Sequence, residues 1–147
     1  MRVSEAMTRQ VQLVRPDQTI QDAARLMADT DSGALPVIDG DRLVGMITDR
    51  DIAIRAVAQG KGPQAFVNEA MSPDVKYCFE DEDTDEVAHN MADLQVRRLP
   101  VVNREKRLVG ILSLGDLATS GGARPAGEAL KGISEPGGPR SQSAEQH

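Results

Sequence analysis

Leu43-Val44-Gly45-Met46-Ile47-Thr48-Asp49-Arg50-Asp51 is an apolar run that ends in a hydroxyl residue, with a carboxylate three positions later. The run has the aliphatic composition of a buried strand, and Thr48 stands where a helix cap belongs. The same sentence returns as Leu108-Val109-Gly110-Ile111-Leu112-Ser113-Leu114-Gly115-Asp116. A strand-to-helix corner written twice points to a duplicated unit.

Working outward, the match extends over most of the chain. Val3, Glu5, Ala6 and Met7 recur as Val67, Glu69, Ala70 and Met71. Ala24, Met27, Ala28 and Asp29 recur as Ala88, Met91, Ala92 and Asp93, and Leu35-Pro36-Val37 as Leu99-Pro100-Val101. One inserted residue near Lys106 precedes the recurrence of Arg42-Leu43-Val44-Gly45 as Arg107-Leu108-Val109-Gly110. Each copy predicts the order helix, strand, helix, strand, strand, helix. The short helical turns fall at 4–7 and 68–71, and the first strands at 11–14 and 75–79. The second helices fall at 20–29 and 84–94. In the former, Ile20, Ala23, Ala24, Met27 and Ala28 share one apolar face. Paired strands are expected at 34–38 with 42–47, and at 99–102 with 107–112. The closing helices run from Thr48 to about Gln59 and from Ser113 to Gly121-Gly122. The fold class is α/β, with tandem units at 1–64 and 65–120 related by a pseudo-twofold axis. Glycines and prolines crowd residues 121–147, which read as a disordered tail.

Composition narrows the function. Net charge is −6 over 147 residues, and residues 121–147 carry three bases and three acids, so the acidity belongs to the repeats. That argues against binding a nucleic-acid backbone, which needs clustered Lys and Arg. Aromatics are 2%, so the core is aliphatic. Cys78 is the one cysteine, which excludes an intrachain disulfide; its apolar neighbours make it an inert thiol. No run reaches the ~18 apolar residues of a membrane-spanning helix, so a cytoplasmic protein is expected. No nucleophile–base spacing, phosphate-loop glycine pattern or calcium loop occurs, so neither an enzyme nor a metal site is expected. The acidic run Glu80-Asp81-Glu82-Asp83 falls before a helix start, where carboxylates favour the helix dipole.

The corner residues carry two readings. Thr48 with Asp51, and Ser113 with Asp116, match a capping box with Asp in place of Glu. They also suit a ligand: a carboxylate accepts two hydrogen bonds from a vicinal diol. Arg50 and Arg55 on the helix could pair with phosphate. The second copy differs, with Leu114-Gly115 for Asp49-Arg50 and Arg97-Arg98 for Gly33-Ala34.

Gly33 to Val37 with Leu43 to Asp51, and Arg97 to Val101 with Leu108 to Asp116, resemble the tandem CBS domain, or Bateman module, across residues 1–120. The resemblance is closest to small stand-alone bacterial CBS pairs. It implies a non-catalytic sensor that holds AMP, ADP, ATP, NAD or S-adenosylmethionine in the cleft between the copies. Carried over residue by residue, Asp51 and Asp116 would bond the ribose, and Thr48 and Ser113 would lie near ribose or phosphate. Met46 and Ile111 would lie against adenine, and backbone groups of Ala34, Leu35, Arg98 and Leu99 would meet the base edge. Arg50 and Arg55 would serve phosphate; Arg97 and Arg98 would serve it in the second copy or block that pocket. The resemblance further implies a homodimer that signals to a protein partner. The competing expectation is an adaptor dimer with no ligand.

Overall fold

The computed structural model describes residues 1–121 and 123–136, apart from the side chains of residues 121–125. In chain order the elements are α1 (Val3–Ala6), α2 (Ile20–Thr30), β1 (Ala34–Asp39), β2 (Arg42–Thr48), α3 (Asp49–Asp51) and α4 (Val67–Ala70). Then come β3 (Cys78–Phe79), α5 (Thr84–Leu94), β4 (Arg98–Val102), β5 (Leu108–Ser113), α6 (Leu114–Asp116) and α7 (Ala123–Ser134). The expected order of elements is present in the second copy, with its first strand shortened to Cys78–Phe79, and in the first copy apart from the strand expected at 11–14. The closing helices are less regular than their periodicity implies. α3 loosens into a π turn at Ile52–Ala56, tightens at Val57–Gln59 and stops at Gly60, whose φ of +79° a residue without Cβ adopts without strain. α6 likewise continues as a π turn at Leu117–Gly121.

Residues 12–75 form one compact unit, and residues 1–11 with Lys76 onward form another. These are not the halves expected from the repeat, because the copies exchange their first helices. α4, written in the second copy, packs with the first copy's strands: Val67 N–H donates to the Gln18 carbonyl, and Ser72 pairs with Met46 on β2. α1, written in the first copy, packs with the second: Val3 N–H donates to the Glu82 carbonyl, and Thr8 pairs with Ile111 on β5. The glycines of the two corners make this exchange possible. A Cβ on Gly45 would stand 2.9 Å from the Ser72 carbonyl oxygen, and one on Gly110 would stand 2.8 Å from that of Thr8. Hereafter the two are the Thr48 unit and the Ser113 unit.

In the Thr48 unit β1 and β2 are antiparallel, Ala34 opposite Thr48, and Val14 adds a parallel bridge to Val37. The expected strand at 11–14 is thus reduced to that bridge. In the Ser113 unit β3 is parallel to β4, which is antiparallel to β5 with Arg98 opposite Ser113. Each sheet closes over an aliphatic core, around Leu35, Val37 and Ile47 in one unit and Leu99, Val101 and Leu112 in the other. α2 begins with a full capping box between Thr19 and Asp22. It buries Ile20, Ala23 and Met27, whereas Ala24 and Ala28, expected on the same face, are exposed. α5 buries Val87, Ala88 and Met91.

The tail expectation is overturned for residues 123–134; residues 122 and 137–147 lie outside the described residues. α7 packs on α5, burying Ala126 and Ala129, and Ile133 joins the core of the Ser113 unit. Gly132 lies so close to α5 that a Cβ there would overlap Ala92 Cβ. Gln95, left-handed at the end of α5, donates its amide to the carbonyls of Gly132 (3.0 Å) and Glu135 (2.6 Å). Pro125 falls in the first turn of α7, where N–H groups need no intrahelical partner. Small residues at helical spacing pack by close approach, so their stripe does not register as an apolar period.

Candidate ligand corners

The Thr48 corner is built by the end of β2 and the start of α3. Thr48 remains extended, so its Oγ1 accepts from Asp51 N–H at 3.0 Å while Asp51 Oδ2 accepts from Thr48 N–H at 3.0 Å. The capping reading of the pair is therefore realised. Asp51 is 7% exposed, and its other oxygen, Oδ1, stands 3.8 Å from Arg55 Nε. Arg55 also donates to the Met71 carbonyl at 3.2 Å, which ties it to the chain after α4. Arg50 is exposed on the same turn. Met46 is half-buried, and its backbone N–H and carbonyl are both engaged by Ser72. Ala34 is half-buried opposite Thr48, and Leu35 is wholly in the core, so Leu35 offers only its backbone.

The Ser113 corner repeats the frame. Ser113 Oγ accepts from Asp116 N–H at 3.0 Å, and Asp116 Oδ2 accepts from Ser113 N–H at 3.0 Å. Here Thr8 adds a hydroxyl 3.3 Å from both Asp116 oxygens, a residue the sequence reading missed. The signal was available, since Thr8 recurs as Ser72. Ile111 is bound through its backbone to Thr8, and Leu99 is buried like Leu35.

The copies diverge for a reason the packing supplies. In the Thr48 unit the Asp49 carboxylate sits against Gly33, where a Cβ would come within 2.9 Å of Asp49 Oδ2. Leu114, at the Asp49 position, packs instead on the core that Ile133 of α7 completes. The Gly33 position is then free to be Arg97. Arg97 and Arg98 are exposed, and with Ser113, Leu114, Gly115, Ala118 and the α7 residues Ala126, Gly127 and Leu130 they line a cavity of about 470 Å³. Asp116 and Ile111 are not on that lining, so the corner residues expected together are only partly brought together.

Elsewhere the acidic run is structural. Asp81 accepts both Arg104 bonds of a fork at 2.7 and 2.8 Å, which holds its carboxyl below the usual range, and Arg104 stacks on Phe79 at 4.2 Å. Glu82 accepts from Phe79 N–H. Among the described residues no group of three His, Cys, Asp or Glu side chains could hold a metal ion, and no helix is long and apolar enough to cross a membrane. Cys78 is buried, and burial pushes its thiol up to about 12.

The doubled corner has counterparts in known proteins. The family model described as CBS domain matches residues 3–57 and again 67–121. The chain belongs to the CBS-domain family. This CBS pair is 45% identical over 133 residues to the CBS domain-containing protein YhcV of Bacillus subtilis, covering 90% of this chain and 94% of that one. It is similar to the CBS pair of MJ0100 in complex with 5′-methylthioadenosine and S-adenosyl-L-methionine: 30% identity, TM-score 0.73, covering 81% and 94% of the two chains. It is also similar to CBSX2 in complex with AMP, at 26% identity and TM-score 0.71, covering 80% and 93%.

Proposed function

We propose that this CBS pair is a non-catalytic cytoplasmic sensor that binds an adenosine-containing ligand at its strand-to-helix corners and relays occupancy to a protein partner. The observation that carries the reading is the doubled corner, in which a backbone-anchored carboxylate, Asp51 or Asp116, is held still by its cap. Such a carboxylate has lone pairs left to accept a ribose diol, and no reorganisation is needed when ligand arrives. The ligand-bound relatives, one with AMP and one with S-adenosyl-L-methionine, support the ligand class. Met46 and Ile111 serve as aliphatic contacts for the base, alongside backbone of Ala34, Leu35, Arg98 and Leu99. Arg50 and Arg55 serve phosphate in the Thr48 unit, and Arg97 and Arg98 in the Ser113 unit.

Calorimetric titration with AMP, ATP, NAD and S-adenosylmethionine tests the reading. Binding of at least one is expected, with thermal stabilisation of about 2.7 kcal/mol at a hundred times its Kd. No heat and no stabilisation from any of the four would leave the second reading, a dimeric adaptor without ligand. That reading draws on Ile54 and Val57, which are 50% and 65% exposed on the helical stretch after Asp51. A homodimer through this face is compatible with either reading.

A further inference from the structure

The two copies differ in one surface, and α7 makes the difference. α5 and the turn at Leu117–Gly121 are the repeat equivalents of α2 and the turn at Ile52–Ala56. In the first copy Ala24 and Ala28 are exposed and Ile52 is half-buried. Their equivalents are covered: Ala88 and Leu117 are buried, and Ala92 is half-buried. α7, which lies outside both copies of the repeat, packs on α5 and on the Leu117–Gly121 turn. It covers in the Ser113 unit the face that the Thr48 unit leaves bare.

The cover is fitted to its seat. Gly132 packs so closely that a Cβ there would overlap Ala92 Cβ. Gln95 donates its amide to the carbonyls of Gly132 and Glu135 at the end of α7. The first copy has Asp31 at that position, and a carboxylate has no proton to give a helix carbonyl. Leu114 packs on the core that Ile133 joins, where the first copy has Asp49. The seat therefore belongs to one unit. The hold is modest, because α7 buries Ala126 and Ala129 and part of Ile133, and Gly127 in its interior costs about 1 kcal/mol against alanine. A helix of this length is marginal in water without its tertiary contacts, so leaving the seat also unwinds it.

We infer that the α5 face beneath α7 is an association surface for the same face of a second copy of this chain, and that α7 covers it in cis. The occupant follows from what sits there now. The face takes a helix packed through small residues, Gly132 against Ala92. α5 presents Ala88 and Ala92 one turn apart, so a second α5 can approach them as α7 does. A face of this kind meets its own copy across a twofold axis, whereas a face filled by a segment of its own chain does not. Release of α7 adds an association face to the chain, so the seating of α7 governs how many copies join. The inference goes beyond the proposed function and needs no ligand.

Sedimentation of full-chain variants tests this in a Val57→Asp background, which removes the apolar patch of the Thr48 unit from consideration. Gly132→Leu lifts α7 from Ala92, and Ala129→Asp does so independently by burying a carboxylate. Hydrogen exchange picks out the double variants whose α7 amides are released while those of β4 and β5 stay protected. Each of these should form a dimer with a dissociation constant about tenfold or more below that of Val57→Asp alone. Ala92→Asp as a third substitution should return them to the state of Val57→Asp alone. A released α7 with association unchanged would overturn the inference. So would a larger species that Ala92→Asp leaves intact, since that is clumping rather than use of this face. Loss of β4 and β5 protection in both double variants would overturn it too, because α7 would then be part of the core and not a cover.

Discussion

At the residue scale, Asp51 holds two roles in one carboxylate. Its Oδ2 caps the corner through Thr48 N–H, and Oδ1 faces Arg55. Asp51→Ala should cost about 1 kcal/mol of stability from the lost cap, read by urea unfolding. It should also cost about 1.5–3 kcal/mol of nucleotide affinity from the lost charged hydrogen bonds, read by calorimetry. A folded variant with unchanged affinity would remove Asp51 from the site. Asp116→Ala should weaken binding less, because the Thr8 hydroxyl already lies 3.3 Å from both Asp116 oxygens and competes with a ligand for them. Cys78 offers a pH test. Its folded pKa is raised from 9.0 to about 12 by burial. The neutral thiol therefore contributes stability that is complete below pH 9 and is lost as pH rises toward 12, because the unfolded chain releases its proton first. Cys78→Ala should show a shallower loss of stability between pH 9 and 11 than the parent.

At the element scale, α7 changes the expected behaviour of the chain's end. A chain ending at Ser120 loses the Ala126, Ala129 and Ile133 contacts and exposes part of the core around Met91. It should melt several degrees lower, where a solvated tail would leave the melting temperature unchanged. Gly132→Leu isolates the cause. A side chain there meets Ala92, so α7 must lift from α5, at a cost of about 1–3 kcal/mol. Stability close to that of the truncated chain is expected by differential scanning calorimetry, and stability equal to the parent would show that α7 does not hold this seat. The first-helix exchange is an element-scale fact too. It depends on Gly45 and Gly110, where any Cβ would press on the Ser72 or Thr8 carbonyl that follows the exchanged helix.

At the scale of the whole molecule, the copies are unequal in what they leave uncovered. In the Ser113 unit Val87, Met91 and Leu117 are buried, and α7 covers α5. In the Thr48 unit Ala24 and Ala28 on α2 are exposed, and so are Ile54 and Val57. Self-association is therefore expected through the Thr48 unit, where a patch can meet its own copy across a twofold axis. Sedimentation of the parent at micromolar concentration should show twice the 15.8 kDa chain mass. Val57→Asp should return it to a single chain, and a parent that sediments as a single chain with and without nucleotide would end the dimer proposal.

The duplication, the order of elements and both capped corners were legible in the chain, because period, cap chemistry and recurrence are local properties. Thr48 with Asp51 declares a corner whatever surrounds it. Which helix belongs to which sheet was not legible, because α1 and α4 pack against strands distant in sequence and short helical turns carry no address. α7 was hidden for a related reason. Ala126, Ala129 and Gly132 stabilise by letting backbones approach, and glycine and alanine are ambiguous until the surface they meet, Ala92 and the end of α5, is in place. Only tertiary structure brings Arg97 and Arg98 opposite Leu130, since nothing local links the start of β4 to a helix some thirty residues later.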